Sequence, residues 1–287
     1  MLTRLRDLVR DRYVLAEDAP SIADGLTGLD LRDLDPAATA ERLTRHLQRV
    51  NHDRHLRVRH RPDGAATGFS SDAYRALHEA EARRNAGGVE RVHLLGDGVG
   101  LLRIAPYLSP VHLAEPHIRA AFTLLSAVTG LVIDLRGGRG GTPSTVALLC
   151  GHLLGEEPVH LQDMAQRVGT PHQFWTTPAA VRVQAPVRVL TSRETFSGCE
   201  ELAYNLQALG RATVIGETTG GGAHPVEAIA LTDVLELHLP VARSVNAVTG
   251  TNWEQVGVVP DVPCAAEDAL GIAIEDLAMK DLAQESP

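Results

Sequence analysis

The sequence predicts an α/β protein. Its core is a mainly parallel sheet with covering helices and β-hairpins, preceded by a small helical domain. Three observations carry this reading. From about residue 89 onward, short unbroken apolar runs alternate with helix-length stretches, the pattern of strands covered on both faces. Residues 1–63 instead show mostly helical spacing. Residues 226–248 (VEAIALTDVLELHLPVARSVNAV) read as one or two hairpins.

Taken in order, Leu2, Leu5, Leu8 and Val9 keep helical spacing, as do Ala40, Leu43, Leu47 and Val50. Asp35 followed by Pro36 is an N-cap and first-turn pair. His55–Val58 reads as a short strand, 62–69 as a loop and 71–86 as a helix closed by Gly87-Gly88. The expected division falls there, with a helical N-terminal domain over 1–87 and the α/β domain over 88–287. Strands are predicted at Val92–Leu95, Val99–Ile104, Leu131–Leu135, Val187–Leu190 and Ala212–Ile215. Helices are predicted at 110–128, 143–154, 198–209 and 265–283.

Composition narrows the function. The chain has 287 residues, enough for one large domain or a domain plus a small helper. Aromatics are only 3%, so the core must be built from Leu, Val, Ile and Ala. A net charge of −9 argues against nucleic acid or an anionic membrane as partner. Cys150, Cys199 and Cys264 form no CxxC pair, which fits a reducing compartment. The first residues lack the unbroken apolar core of a signal peptide, and no window approaches 18 apolar residues. A cytoplasmic protein is expected.

Two segments can carry chemistry. The stretch Arg136-Gly137-Gly138-Arg139-Gly140-Gly141-Thr142-Pro143 follows a strand and leads into a helix. Its glycines allow bare backbone N–H groups to face a ligand, as a phosphate cradle or an oxyanion hole; a tight turn explains them equally well. The second segment, Thr191–Pro225, places Ser197 at the entrance to a helix, three residues before Glu200. A serine there is either a nucleophile or an N-cap. Cys199, two residues further, is expected to turn inward.

The ordered motifs IDLRGGRGG, VLTSRETFSGCEELAYNLQALGRATVIGETTGGG and TNWEQVGVVPDV resemble the S41 serine peptidases. That group includes the tail-specific C-terminal processing proteases and the tricorn core protease. The likeness covers roughly residues 90–265, without a PDZ-sized segment between 60 and 90. It is closest to the retinoid-binding-protein-like branch, whose N-terminal domain ends in a segment similar to residues 51–58. The resemblance implies a ClpP/crotonase-like core, makes 88–287 an S41-like catalytic domain and makes Ser197 the nucleophile. It also implies an oxyanion site formed by the N–H of Gly198 with that of Gly140 or Gly141.

The general base departs from the family pattern. The lysine position of the tail-specific proteases falls on Gly222, and the histidine position of tricorn-type members falls on Arg103. An arginine cannot accept a proton near neutral pH. His224 is the first candidate to replace them and His55 the second, since imidazole has a suitable intrinsic pKa. Glu254, in the W-E-x-x-G-V-x-P-D motif, would orient whichever imidazole acts. His52, His55 and His60 match no zinc spacing, and no metal or cofactor is expected.

The expected activity is hydrolysis of a peptide bond in a peptide or protein substrate. The alternative is an altered S41-like protein that binds a hydrophobic small molecule, or does non-peptidase chemistry, in the same cleft. No nucleic acid or membrane partner is expected, and a homo-oligomer is left open.

Overall fold

The computed structural model describes residues 1–65, 72–167 and 169–284. The chain sorts into two units, and neither is one continuous stretch. The first comprises Met1–Leu77, Asp163–His172 and Gly222–Val245, and the second the remainder.

In the first unit, helices α1 (Leu2–Arg12), α2 (Ala19–Gly25) and α3 (Pro36–Leu47) precede strand β1 (Arg57–His60). The Asp35 side chain accepts the Ala38 N–H at 2.8 Å, and Pro36 opens α3, so the cap read from the sequence is made. β1 starts two residues later than expected, for a local reason. Asp53 Oδ1 accepts the N–H groups of His55 (2.9 Å) and Leu56 (3.3 Å), which folds that stretch into a turn.

Two later strands, β9 (Val226–Ala230) and β10 (Leu235–Pro240), join β1 in an antiparallel sheet of order β1-β10-β9. Val58, Leu237 and Ile229 stand opposite one another in register and so share a face. That face closes over Leu5, Val9, Leu43 and Leu47 from the helices and Leu56 from the turn before β1. Full burial of each such side chain stabilises the fold by roughly 1.5–3 kcal/mol.

The second unit holds the mainly parallel sheet. Its strands are β2 (Val89–Leu94), β3 (Val99–Ile104), β4 (Gly130–Asp134), β7 (Val187–Thr191), β8 (Ala212–Gly216) and β12 (Val262–Pro263). Their order is β12-β8-β7-β4-β3-β2, with every neighbour parallel except the β2–β3 pair. All residues of β4 and β7 are buried, the charged Asp134 and Arg188 included, as in strands covered on both faces.

Helices α5 (Val111–Leu124), α6 (Pro143–Gly151), α7 (Gly198–Ala208) and α8 (Ala269–Gln284) accompany these strands. Ala269, Ala273 and Leu277 of α8 pack on Val99, Leu101, Val132, Leu190 and Ile215 of the sheet. Helix α4 (Asp72–Asn85) lies where a helix was expected. Residues 66–69 of the expected loop, and residue 71 of the expected helix, lie outside the described residues.

Three strands were not foreseen, the two-residue β12 and the longer β5 (His160–Gln166) and β6 (His172–Trp175). β5 and β6 form a sheet of order β11-β5-β6 with β11 (Ala242–Asn246). β5 reads HLQDMAQ, with polar residues on both faces and Gln162 fully buried, so it shows no alternation. The parallel register leaves the loops after β4, β7 and β8 leaving the same, carboxyl-terminal edge of the sheet, where α/β proteins place ligands. Among the described residues, no helix is long and apolar enough to cross a membrane.

Candidate active site

The glycine loop is pinned where it leaves β4. The buried Asp134 carboxylate accepts from Arg136 through the backbone N–H (3.1 Å), Nε (2.8 Å) and Nη2 (2.7 Å). Arg136 Nη1 also donates to the Ala266 carbonyl at 2.7 Å. Burial opposes ionisation of Asp134, but the bonds from Arg136 outweigh it and hold the carboxyl below its ordinary range. Arg103 is committed to Glu90, and its Nη1 lies 3.7 Å from Asp134.

The loop after β7 is stitched to the glycine loop. Ser192 Oγ donates to the Arg136 carbonyl (2.7 Å), Thr195 Oγ1 to the Leu135 carbonyl (2.9 Å) and the Phe196 N–H to the Gly138 carbonyl (3.0 Å). Ser197 follows as the N-cap of α7, with φ 53° and ψ −126°. That backbone conformation is rarely adopted by a residue with a side chain, and such strain clusters at functional sites.

Contact between the two loops leaves no room for side chains. A Cβ on Gly198 would lie 2.7 Å from the Gly141 carbonyl oxygen and 2.8 Å from its nitrogen. A Cβ on Gly138 would lie 2.6 Å from Cys199 Sγ, and one on Gly140 would lie 3.3 Å from Ser197 Cβ. Among the described residues, the N–H groups of Gly140, Gly141 and Gly198 donate to no backbone oxygen. A strained serine beside bare amides at a helix start is a geometry suited to acyl transfer.

Glu200 braces this corner. It is fully buried, and its Oε2 accepts the Ser197 N–H at 2.7 Å. Its Oε1 accepts the Thr219 hydroxyl at 2.5 Å and the Gly221 N–H at 2.7 Å. One carboxylate therefore holds the serine and the glycine-rich loop after β8 together. Sequence reading used Glu200 only as part of a motif; its place three residues after an N-cap serine is the signal of a capping box.

The neighbours of Glu200 are equally enclosed. Cys199 is buried, with Sγ 3.4 Å from the Gly140 carbonyl, and burial pushes its thiol up to about 12, so it is no thiolate nucleophile. Burial also raises the Glu201 carboxyl to about 8, which keeps it protonated at neutral pH.

Glu254 lies half-buried in a loop tied to the same segment. Its N–H donates to Asn252 Oδ1 at 2.9 Å. The Gln255 N–H donates to the Gly221 carbonyl (3.0 Å), and the Val258 N–H to Thr219 Oγ1 (2.7 Å). Gly222 offers no amine, and Lys280 in α8 is the single lysine of the sequence. A serine–lysine pair of the tail-specific type therefore has no lysine at its usual place.

The first unit holds His224, three residues beyond Gly221 in the chain. His224 is buried, and its Nδ1 lies 2.9 Å from Asp53 Oδ2. The Tyr13 hydroxyl donates to the same oxygen at 2.8 Å. Burial opposes the charge on Asp53, yet His224, then His55 and then Tyr13 hold its carboxyl below the usual range. An ionised Asp53 makes His224 Nδ1 the donor and so assigns the basic lone pair to Nε2.

His55 shares this interior. Burial drives its imidazole down to about 3, so it is neutral at physiological pH and weakly basic. Sequence reading missed Asp53. It sat in the segment that nominated His55, but its partner His224 lies 171 positions away.

Residues 98–264 match the family model of peptidase family S41. The carboxy-terminal processing protease CtpB of Bacillus subtilis is 27% identical over 175 residues, covering 60% of this chain and 35% of that protein. The chloroplastic C-terminal processing peptidase of Tetradesmus obliquus is 29% identical over 166 residues, covering 57% and 34%. The chain thus spans about a third of the length of these curated relatives. The structure of the photosystem II D1 C-terminal processing protease superposes with a TM-score of 0.58 at 18% identity, covering 93% of this chain and 92% of that one, a likeness of fold. On the match over residues 98–264, the chain is a member of peptidase family S41.

Proposed function

We propose that the protein is a serine peptidase in which Ser197 attacks the scissile carbonyl and His224 takes its proton. The observation that carries this reading is Ser197 itself, held at φ 53° on a helix start, with Gly140 packed against it and Gly198 against Gly141. Gly198 and either Gly140 or Gly141 donate N–H groups to the oxyanion of the tetrahedral intermediate. Removal of a single such donor costs other serine hydrolases on the order of 10²–10³ in turnover.

His224 is preferred to His55 because Asp53 fixes its tautomer, while burial leaves His55 weakly basic. Asp53 takes the orienting role assigned to the third member of a serine triad. Glu254 supports the site from the loop bound to Gly221. Peptide or protein chains are the substrate class, and family membership favours this over the reading as a binder of hydrophobic molecules. The free cysteines, with Cys150 and Cys199 buried, support a reducing compartment such as the cytoplasm.

A fluorophosphonate probe tests the nucleophile. Labelling of the wild-type chain, lost in Ser197→Ala, is the expected result. No labelling of wild type, together with tight binding of a hydrophobic ligand, contradicts it.

A further inference from the structure

We infer that Tyr13 is a positioning residue for the base: its hydroxyl fixes the Asp53 oxygen that receives His224 and tunes how strongly that oxygen holds the imidazolium. This rests on the reading of His224 as the base.

Tyr13 caps the end of α1 and is fully buried. Its hydroxyl and His224 Nδ1 meet one oxygen, Asp53 Oδ2, at 2.8 and 2.9 Å. The other carboxylate oxygen, Oδ1, is occupied by the N–H groups of His55 and Leu56. The carboxylate is therefore held from both sides and cannot turn away from the imidazole.

The direction of the hydroxyl is fixed as well. Asn51 Nδ2 donates to the Tyr13 oxygen at 2.8 Å and to Asp18 Oδ2 at 2.7 Å. With a donor already on its oxygen, Tyr13 points its own hydrogen at Asp53. Burial first, and then the Asp53 charge, push ionisation of Tyr13 far above its ordinary value. The hydroxyl is thus a donor at every pH at which the protein works.

Two donors on one oxygen share its negative charge. The tyrosine bond makes Asp53 a poorer proton acceptor, which keeps the Nδ1 proton on the ring, and it moderates the pull of Asp53 on the charged imidazolium. A base held too tightly to its proton would be charged, and useless, over more of the neutral range. Among the described residues of this unit, Asp18 acts on Tyr13, His55 acts on Asp53, and Arg57 and His238 act in turn on His55. None is altered by the substitution below.

Tyr13→Phe keeps the ring and removes only the donor. The full-length protein is titrated by NMR through the His224 ring protons, and the fluorophosphonate labelling rate is followed over the same pH range. The inference predicts a His224 midpoint raised by about 0.5–1 pH unit, a three- to tenfold gain in proton affinity, with the acid limb of labelling moving equally. An unmoved or lowered midpoint in folded Tyr13→Phe overturns it.

If Tyr13→Phe does not fold, Asn51→Ala, which removes a donor to the Tyr13 oxygen, should move the midpoint the same way but less. No movement there also overturns the inference. Undiminished labelling in His224→Ala, with a midpoint that still responds to Tyr13→Phe, separates the two claims. The base reading then fails while the coupling through Asp53 stands.

Discussion

Glu200 Oε2 accepts the backbone N–H of Ser197 at 2.7 Å, from a carboxylate with no exposure to solvent. Its second oxygen is filled by Thr219 and Gly221. The Ser197 backbone is thus held by the same group that fixes the loop leading to His224. The arrangement explains how the chain sustains a serine at positive φ, since strain persists only where the surroundings over-determine it.

Relieving that strain should stabilise the protein and destroy its activity. At φ 53° and ψ −126°, glycine lacks the steric penalty that serine bears. Ser197→Gly is expected to unfold in urea with a free energy higher by about 1 kcal/mol, with labelling abolished. Ser197→Ala should lose labelling without that gain. A Ser197→Gly protein less stable than wild type argues that the serine is not strained.

Removing the brace has the opposite effect. Glu200→Ala strands the Ser197 and Gly221 N–H groups and the Thr219 hydroxyl in a buried site. A loss of about 3 kcal/mol or more in unfolding free energy follows. Glu200→Gln places an NH₂ against donors and should also lose stability, by less. Denaturant melts of both variants measure the difference; stability within about 0.5 kcal/mol of wild type means the brace is dispensable.

His55 makes stability depend on pH. Its folded value is lowered to about 3, against about 6.5 in the unfolded chain. Above pH ~6.5 both states carry neutral imidazole, and the group leaves no slope. As pH falls from ~6.5 toward 3, only the unfolded state gains the proton, so stability drops by up to about 1.4 kcal/mol per pH unit. His55→Gln lacks this slope. Glu201, raised to about 8, titrates in the opposite sense but is common to both proteins and cancels in the difference. Urea midpoints of the two proteins at pH 7 and pH 5 check the claim, and parallel pH dependences contradict it.

Much of the second unit's sheet was legible because its strands are buried on both faces. Leu131–Leu135 and Val187–Leu190 read as apolar runs interrupted only by Asp134 and Arg188, and lie within a residue of the observed β4 and β7. The Asp35–Pro36 cap was legible because capping is local. β5 was not, since a strand carrying a buried glutamine has no alternation, and β12 has only two residues. The residues that brace the site were the hardest to see. Glu200 shows only as a spacing from serine, and Asp53 finds His224 across 171 positions, a distance no local pattern spans.

The central claim is that His224 activates Ser197. Its most direct test is the second-order rate of fluorophosphonate labelling at pH 7 in His224→Ala against wild type, with β-casein cleavage followed in parallel. Loss of a general base predicts both rates lower by about 10²–10⁴-fold, in a protein that still folds. Rates within a few-fold of wild type contradict the account and move the role to another group.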